Sequence, residues 1–286
     1  MGMNDLWDAT NHRSWNSLAK HSPKLTYLST ALVPSLTAQD IARAPPFDAA
    51  IMLAGCILHL RAVQNPGRTG SRNPNLSMSP EVAHLRSLFQ GSGTANAYLA
   101  FHHAPLHEVL SVSGDSWLFN EKILQPRIWN EHRKTLASWS TSNEATVAVY
   151  FAVRGIASFL KLSHETAEGV HAALVAGRLV TWTDISDYWG LYVCTLICWA
   201  WGQGATTSRA ERKTDASKRS AISWILAVGA SDLQDLSEWA GRGQTRALVC
   251  LVQDILERGC PSGRNRMFCD AVSVLKKLGD RAAVGF

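Results

Sequence analysis

Asp187-Tyr188-Trp189-Gly190-Leu191-Tyr192-Val193-Cys194-Thr195-Leu196-Ile197-Cys198-Trp199-Ala200-Trp201-Gly202 is the stretch whose reading decides the fold. Residues 188–201 carry no charge, and three of the fourteen are Trp. Their apolar side chains lie all round a helix rather than along one stripe, so such a helix must be covered on every side. As a helix it spans roughly 21 Å at ~1.5 Å per residue, and a bilayer core needs about 20 apolar residues. The stretch therefore predicts a central apolar helix over 187–202 in a domain with no membrane association. The rest of the chain must supply its cover.

Composition allows that cover. The 286 residues suit one large domain or two small ones. Hydrophobic residues make up 46% and charged residues 18%, which permits a sizeable core and argues against a disordered whole. The eleven Trp suit helices packed through bulky ridges. A net charge of +5 and pI near 9.0 are mildly basic, and the basic residues are scattered. Their densest group, Arg209, Arg212, Lys213, Lys218 and Arg219, stands among Ser, Thr, Ala and Gly and reads as a solvated loop. The six Cys (56, 194, 198, 250, 260, 269) fall mostly in apolar helical patterns. The first residues show no basic n-region or apolar h-region. Reduced, buried thiols in an intracellular protein are the expectation.

Outward from the central stretch, helical patterns follow one another. Residues 1–34 remain poorly defined. Ser35-Leu36-Thr37-Ala38-Gln39-Asp40 offers a helix start, Pro45-Pro46 breaks it, and 47–63 reads as a strong helix. Residues 64–79 form a Pro/Gly/Asn/Ser/Arg stretch, the best hinge candidate. Ser79-Pro80-Glu81 restarts a helix with an N-cap, a first-turn Pro and a first-turn carboxylate. A helix is expected over 94–112, another over 127–138, with Ile128, Trp129, His132, Leu136 and Trp139 on related faces, and another over 145–162 behind Ser142-Asn143-Glu144. One more follows over about 163–176. Residues 179–182 are the only strand-like run. Asp184 and Asp187 place negative charge where the central helix begins. Helices over 216–228, 245–257 and 267–278 follow, and Ser231-Asp232-Leu233-Gln234 matches a capping box. No repeat is visible. The fold class is all-α: an irregular multi-helix domain over 35–286, with about nine or ten helices around the central one.

Chemistry-bearing patterns are few. There is no Gly-x-Ser-x-Gly, no phosphate loop and no His-Glu-x-x-His, and Gly202-Gln203-Gly204 follows a helix rather than a strand. His102, His103 and His107 form the densest metal candidate, with His103 and His107 four apart on one helix face. Pro105 lies between them and weakens that geometry, and the competing reading is polar rings flanking a packed face. Cys194 and Cys198 are also four apart, but zinc modules need a second pair nearby, so both read as packing. Asp184, Asp187, Glu144 and Glu165 each stand within a turn of a helix start, where capping explains them. No catalytic, cofactor-binding or metal residue is assigned, and no enzyme activity is expected.

Three stretches carry a resemblance: His103-Ala104-Pro105-Leu106-His107-Glu108-Val109-Leu110-Ser111-Val112-Ser113-Gly114-Asp115-Ser116-Trp117, Leu136-Ala137-Ser138-Trp139-Ser140, and the opening stretch. Together they resemble the fungal-specific transcription factor domain, the regulatory middle homology region of fungal zinc-finger regulators. The fit is best to the two-Cys two-His finger type, with the binuclear zinc cluster type beside it. The likeness covers roughly 45–280 and is tight in these three stretches alone. Asp115 stands at a Glu-like position and Trp201 at a Phe/Tyr-like one. The resemblance implies an all-α regulatory domain in the nucleus, acting in transcription by RNA polymerase II through effector response and homo- or heterodimerisation. The family's zinc DNA-binding module has no ligands in this chain, so zinc and DNA contact are expected only from such a module. The alternative is a stand-alone α-helical protein derived from such a regulator, which binds partners or a small apolar effector.

Overall fold

The computed structural model describes residues 36–44, 46–63, 78–89, 92–114, 125–162, 167–175, 185–203, 215–233, 241–259 and 266–280. Among these residues there are twelve α-helices, one 3₁₀ turn and no strand. The expected all-α class holds. The strand-like run 179–182, the segment 1–34 and most of the basic group lie outside the described residues. No helix of the described residues is long and apolar enough to cross a membrane.

The chain divides into two compact units, residues 1–69 with 83–90 and residues 70–82 with 91–286, where the sequence suggests one domain over 35–286. The division falls in and beside the Pro/Gly-rich stretch 64–79. The first unit holds α1 (Ala38–Arg43), α2 (Pro46–Val63) and most of α3 (Pro80–Leu88). A complete capping box starts α1: the Asp40 amide donates to Thr37 Oγ1 at 3.3 Å, and the Thr37 amide donates to Asp40 Oδ2 at 2.9 Å. The Thr37 hydroxyl also donates to Asp40 Oδ2 at 2.6 Å, and this bond, with that from the Thr37 amide, holds the Asp40 carboxyl below its usual range. On α2, Leu53, Cys56, Ile57 and Leu60 are buried at helical spacing. On α3, the Val82 amide donates to the Ser79 hydroxyl at 3.3 Å, the cap read from the sequence.

The second unit runs α4 (Gly93–His103), α5 (Leu106–Ser113), α6 (Pro126–Ser140), α7 (Asn143–Phe159), α8 (Ala167–Val175), α9 (Ile185–Gly202), α10 (Asp215–Ala230), a 3₁₀ turn (Gly241–Gln244), α11 (Thr245–Arg258) and α12 (Arg266–Asp280). The single helix expected over 94–112 is two helices. Pro105 cannot donate a backbone hydrogen bond, and its ring drives the preceding residue out of the helical region. Ala104 accordingly sits at φ −108°, ψ 142°. Ser142 caps α7 as expected, accepting from the Ala145 amide at 3.2 Å. The Ser231 hydroxyl donates to the Ala227 carbonyl at the end of α10; Gln234, the other half of the expected capping box, lies outside the described residues.

α9 is the apolar stretch of the sequence. Leu191, Leu196 and Ile197 are fully buried and Trp199 is 9% exposed. It packs against α4, α5, α6, α7, the 3₁₀ turn and α11. It does not organise the unit by itself. α7 buries residues 147–153 without interruption and packs against α4, α6, α9 and α10. Small residues let these helices approach. A Cβ at Gly155 of α7 would stand 3.5 Å from the Ala97 amide nitrogen of α4 and 3.4 Å from the Cys194 sulfur of α9. Phe159 fills the space beside both Gly93 and Gly190.

Polar contacts close the helix ends. Tyr188 donates from its hydroxyl to the Phe268 carbonyl at 3.1 Å, linking α9 to the start of α12. Arg246 donates twice to the Gly279 carbonyl, at 3.2 and 3.1 Å, satisfying the C-terminal end of α12. Lys218 of α10 pairs with Asp254 of α11.

Candidate functional site

The histidine-rich segment is where chemistry-bearing residues converge, though not as its spacing suggests. The break at Ala104-Pro105 ends the helical register between His103 and His107, so the two do not share one helix face. His103 closes α4. Its ring stacks near-parallel to Phe151 of α7, with centroids 6.3 Å apart, and its carbonyl accepts from the Trp139 indole at 2.9 Å. Burial, helped by the adjacent His102, lowers its pKa to about 4, so this imidazole is neutral. It is a packing group.

His107 belongs instead to a second group with Glu108 and His132. α5 supplies His107 and Glu108 from its first turn, and α6 supplies His132 from mid-helix. One donor atom from each of the three lies within 4.8 Å of the other two. The His107 and His132 rings meet edge to face, centroids 4.9 Å apart and planes at 81°. His107 is exposed, while Glu108 and His132 are half-buried.

A buried hydroxyl stands behind the group. Ser111 Oγ lies 2.7 Å from His132 Nδ1 and donates to the Glu108 carbonyl at 3.1 Å. The hydroxyl thus bridges the Glu108 carbonyl and the His132 ring.

The other candidates do not gather. Cys194 and Cys198 are fully buried in α9, and desolvation pushes both thiols far up, which keeps them protonated. Cys56 and Cys250 are also buried, Cys269 is exposed, and Cys260 lies outside the described residues. Asp187 lies in the first turn of α9 as predicted and Glu144 in that of α7; Asp184 and Glu165 lie outside the described residues. Of the basic group, Lys218 is committed to Asp254, and Arg209, Arg212 and Lys213 are not described.

His132 is the member that sequence spacing misses. Its signal is its register: it lies four residues before Leu136 and seven before Trp139, both buried, so it shares the inward face of α6.

No protein-family model matches the chain, and comparison with curated proteins and with solved structures finds no match either.

Proposed function

We propose that this chain is an α-helical regulatory domain of the fungal transcription-factor type, acting in the nucleus on transcription by RNA polymerase II. DNA contact and zinc would come from a separate zinc module. The observation that carries the reading is the identity of α9: the stretch with the tightest resemblance to that domain is a fully buried helix between α7 and α11. A regulatory domain needs such a framework and no catalytic group, and the resembling stretches supply packing residues. Tethering the chain to a heterologous DNA-binding module in a fungal reporter strain tests the proposal. A changed reporter output, lost on Leu196→Asp, is expected. An output that stays at the level of the module alone would overturn it.

A second reading is a stand-alone interaction protein that pairs with another copy of itself. It draws on Ile51 and Leu58 of α2, which are 40% and 64% exposed and two turns apart on one face. Sedimentation or size exclusion that finds only a monomer at high concentration would remove it.

A further inference from the structure

We propose that His107, Glu108 and His132 form a binding site for a divalent first-row transition metal, with zinc as its natural class, held by the α5–α6 pair. Two imidazoles and one carboxylate are a donor set that suits zinc or iron(II) and leaves coordination positions open. The geometry is close to closure. Metal bonds of about 2.0–2.2 Å in a tetrahedral arrangement place donors roughly 3.3–3.5 Å apart, against separations of up to 4.8 Å here. Closure requires the three donors to draw together, and His107 is the exposed member of the group.

Ser111 is the independent observation. Histidines that bind metals donate their second ring N–H to a fixed acceptor, which sets the tautomer and aims the free nitrogen. Ser111 stands where that acceptor is needed for His132: it is 7% exposed, lies 3.1 Å from the Glu108 carbonyl and 2.7 Å from Nδ1, and would accept from Nδ1–H in the metal-bound site. The hydroxyl thus ties the carboxylate-bearing turn to the imidazole of the other helix. A histidine satisfied merely as a packing group needs no such arrangement with a second imidazole edge-on at 4.9 Å. Metal binding would tie α5 to α6.

The test is titration of the purified full chain with Co²⁺ and then Zn²⁺, followed by absorption spectroscopy and calorimetry. One equivalent is expected to bind, with weak visible ligand-field bands and no near-ultraviolet thiolate charge-transfer band, since only nitrogen and oxygen ligate. His107→Ala, an exposed change with little risk to folding, and His132→Ala should each weaken binding at least tenfold. Ser111→Ala should weaken it about 10–100-fold with all three ligands intact. The circular-dichroism spectrum and melting temperature of each variant identify any that fail to fold, and His107→Ala decides the matter if the other two do. No binding by the wild type at millimolar metal, a sulfur charge-transfer band, or an unchanged affinity in folded His107→Ala would each overturn the proposal.

Discussion

A Cβ added at Gly190 of α9 would stand 2.6 Å from Cζ of Phe159 on α7, so the phenyl ring occupies the place of a side chain on the facing helix. The same ring lies 2.9 Å from the corresponding point at Gly93, which limits its retreat toward α4. Gly190→Ala is therefore expected to destabilise the protein by about 1–3 kcal/mol through overpacking. Phe159→Leu in the Gly190→Ala background should recover part of that loss, giving a favourable coupling in a double-mutant cycle. Urea denaturation measures both, and a Gly190→Ala protein as stable as wild type would show that the ring moves freely.

Leu196 tests α9 as core. Removing its buried side chain in Leu196→Ala should cost about 2–5 kcal/mol, while Leu196→Asp puts an unpaired charge at a site with no exposure and should abolish the cooperative thermal transition. Circular-dichroism melts discriminate the two. A normal melt for the Asp variant would be incompatible with the packing described.

α7 ends in a left-handed residue that is not glycine. Lys161 has φ 55°, its amide donates to the Ser158 carbonyl at 3.0 Å, and the Leu162 amide donates to the Ala157 carbonyl at 2.9 Å, the paired bonds of a Schellman motif. A lysine there carries the strain of its Cβ. Lys161→Gly should stabilise the protein by about 0.5–1 kcal/mol, the relief being partly offset by the freedom of glycine in the unfolded chain. The urea midpoint should rise, with Lys161→Val moving it down.

The neutral state of His103 makes stability depend on pH. Its pKa is about 4 in the folded chain against 6.5 for an ordinary histidine, so the unfolded chain binds the extra proton between those values. Stability from this group is fully present above about pH 6.5, falls as the pH is lowered through that window and levels off below about pH 4. The loss should be about 3 kcal/mol. His103→Leu should flatten this part of the profile. An equal slope in that variant would assign the effect to other groups.

Helices with continuous apolar patterns and side-chain caps were legible in the sequence, because a cap and a periodicity are local facts. Thr37 with Asp40, Ser79 and Ser142 each stand where their residue type predicts. The split at Ala104 was also local, but the apolar run across Pro105 outweighed it in the sequence. The part played by α7 was not legible: its burial is set by Phe159, Gly93 and Gly190 meeting across three helices, and no window of sequence contains all three. The His107–His132 pairing is hidden for the same reason. Twenty-five positions separate the two, and their meeting depends on α5 turning at Pro105 and on α6 presenting its inner face. Ser111 gave no signal until His132 Nδ1 stood 2.7 Å away.

The bond from Tyr188 to the Phe268 carbonyl spans eighty positions of chain. A ribosome adding roughly 5–20 residues per second takes about 4–16 s to make that interval. For those seconds α9, with its three tryptophans, has neither α11 nor α12 beside it. The nascent domain thus passes through an interval in which its most apolar helix is half-clothed, and the speed of translation over that interval becomes a determinant of how much protein reaches the native state.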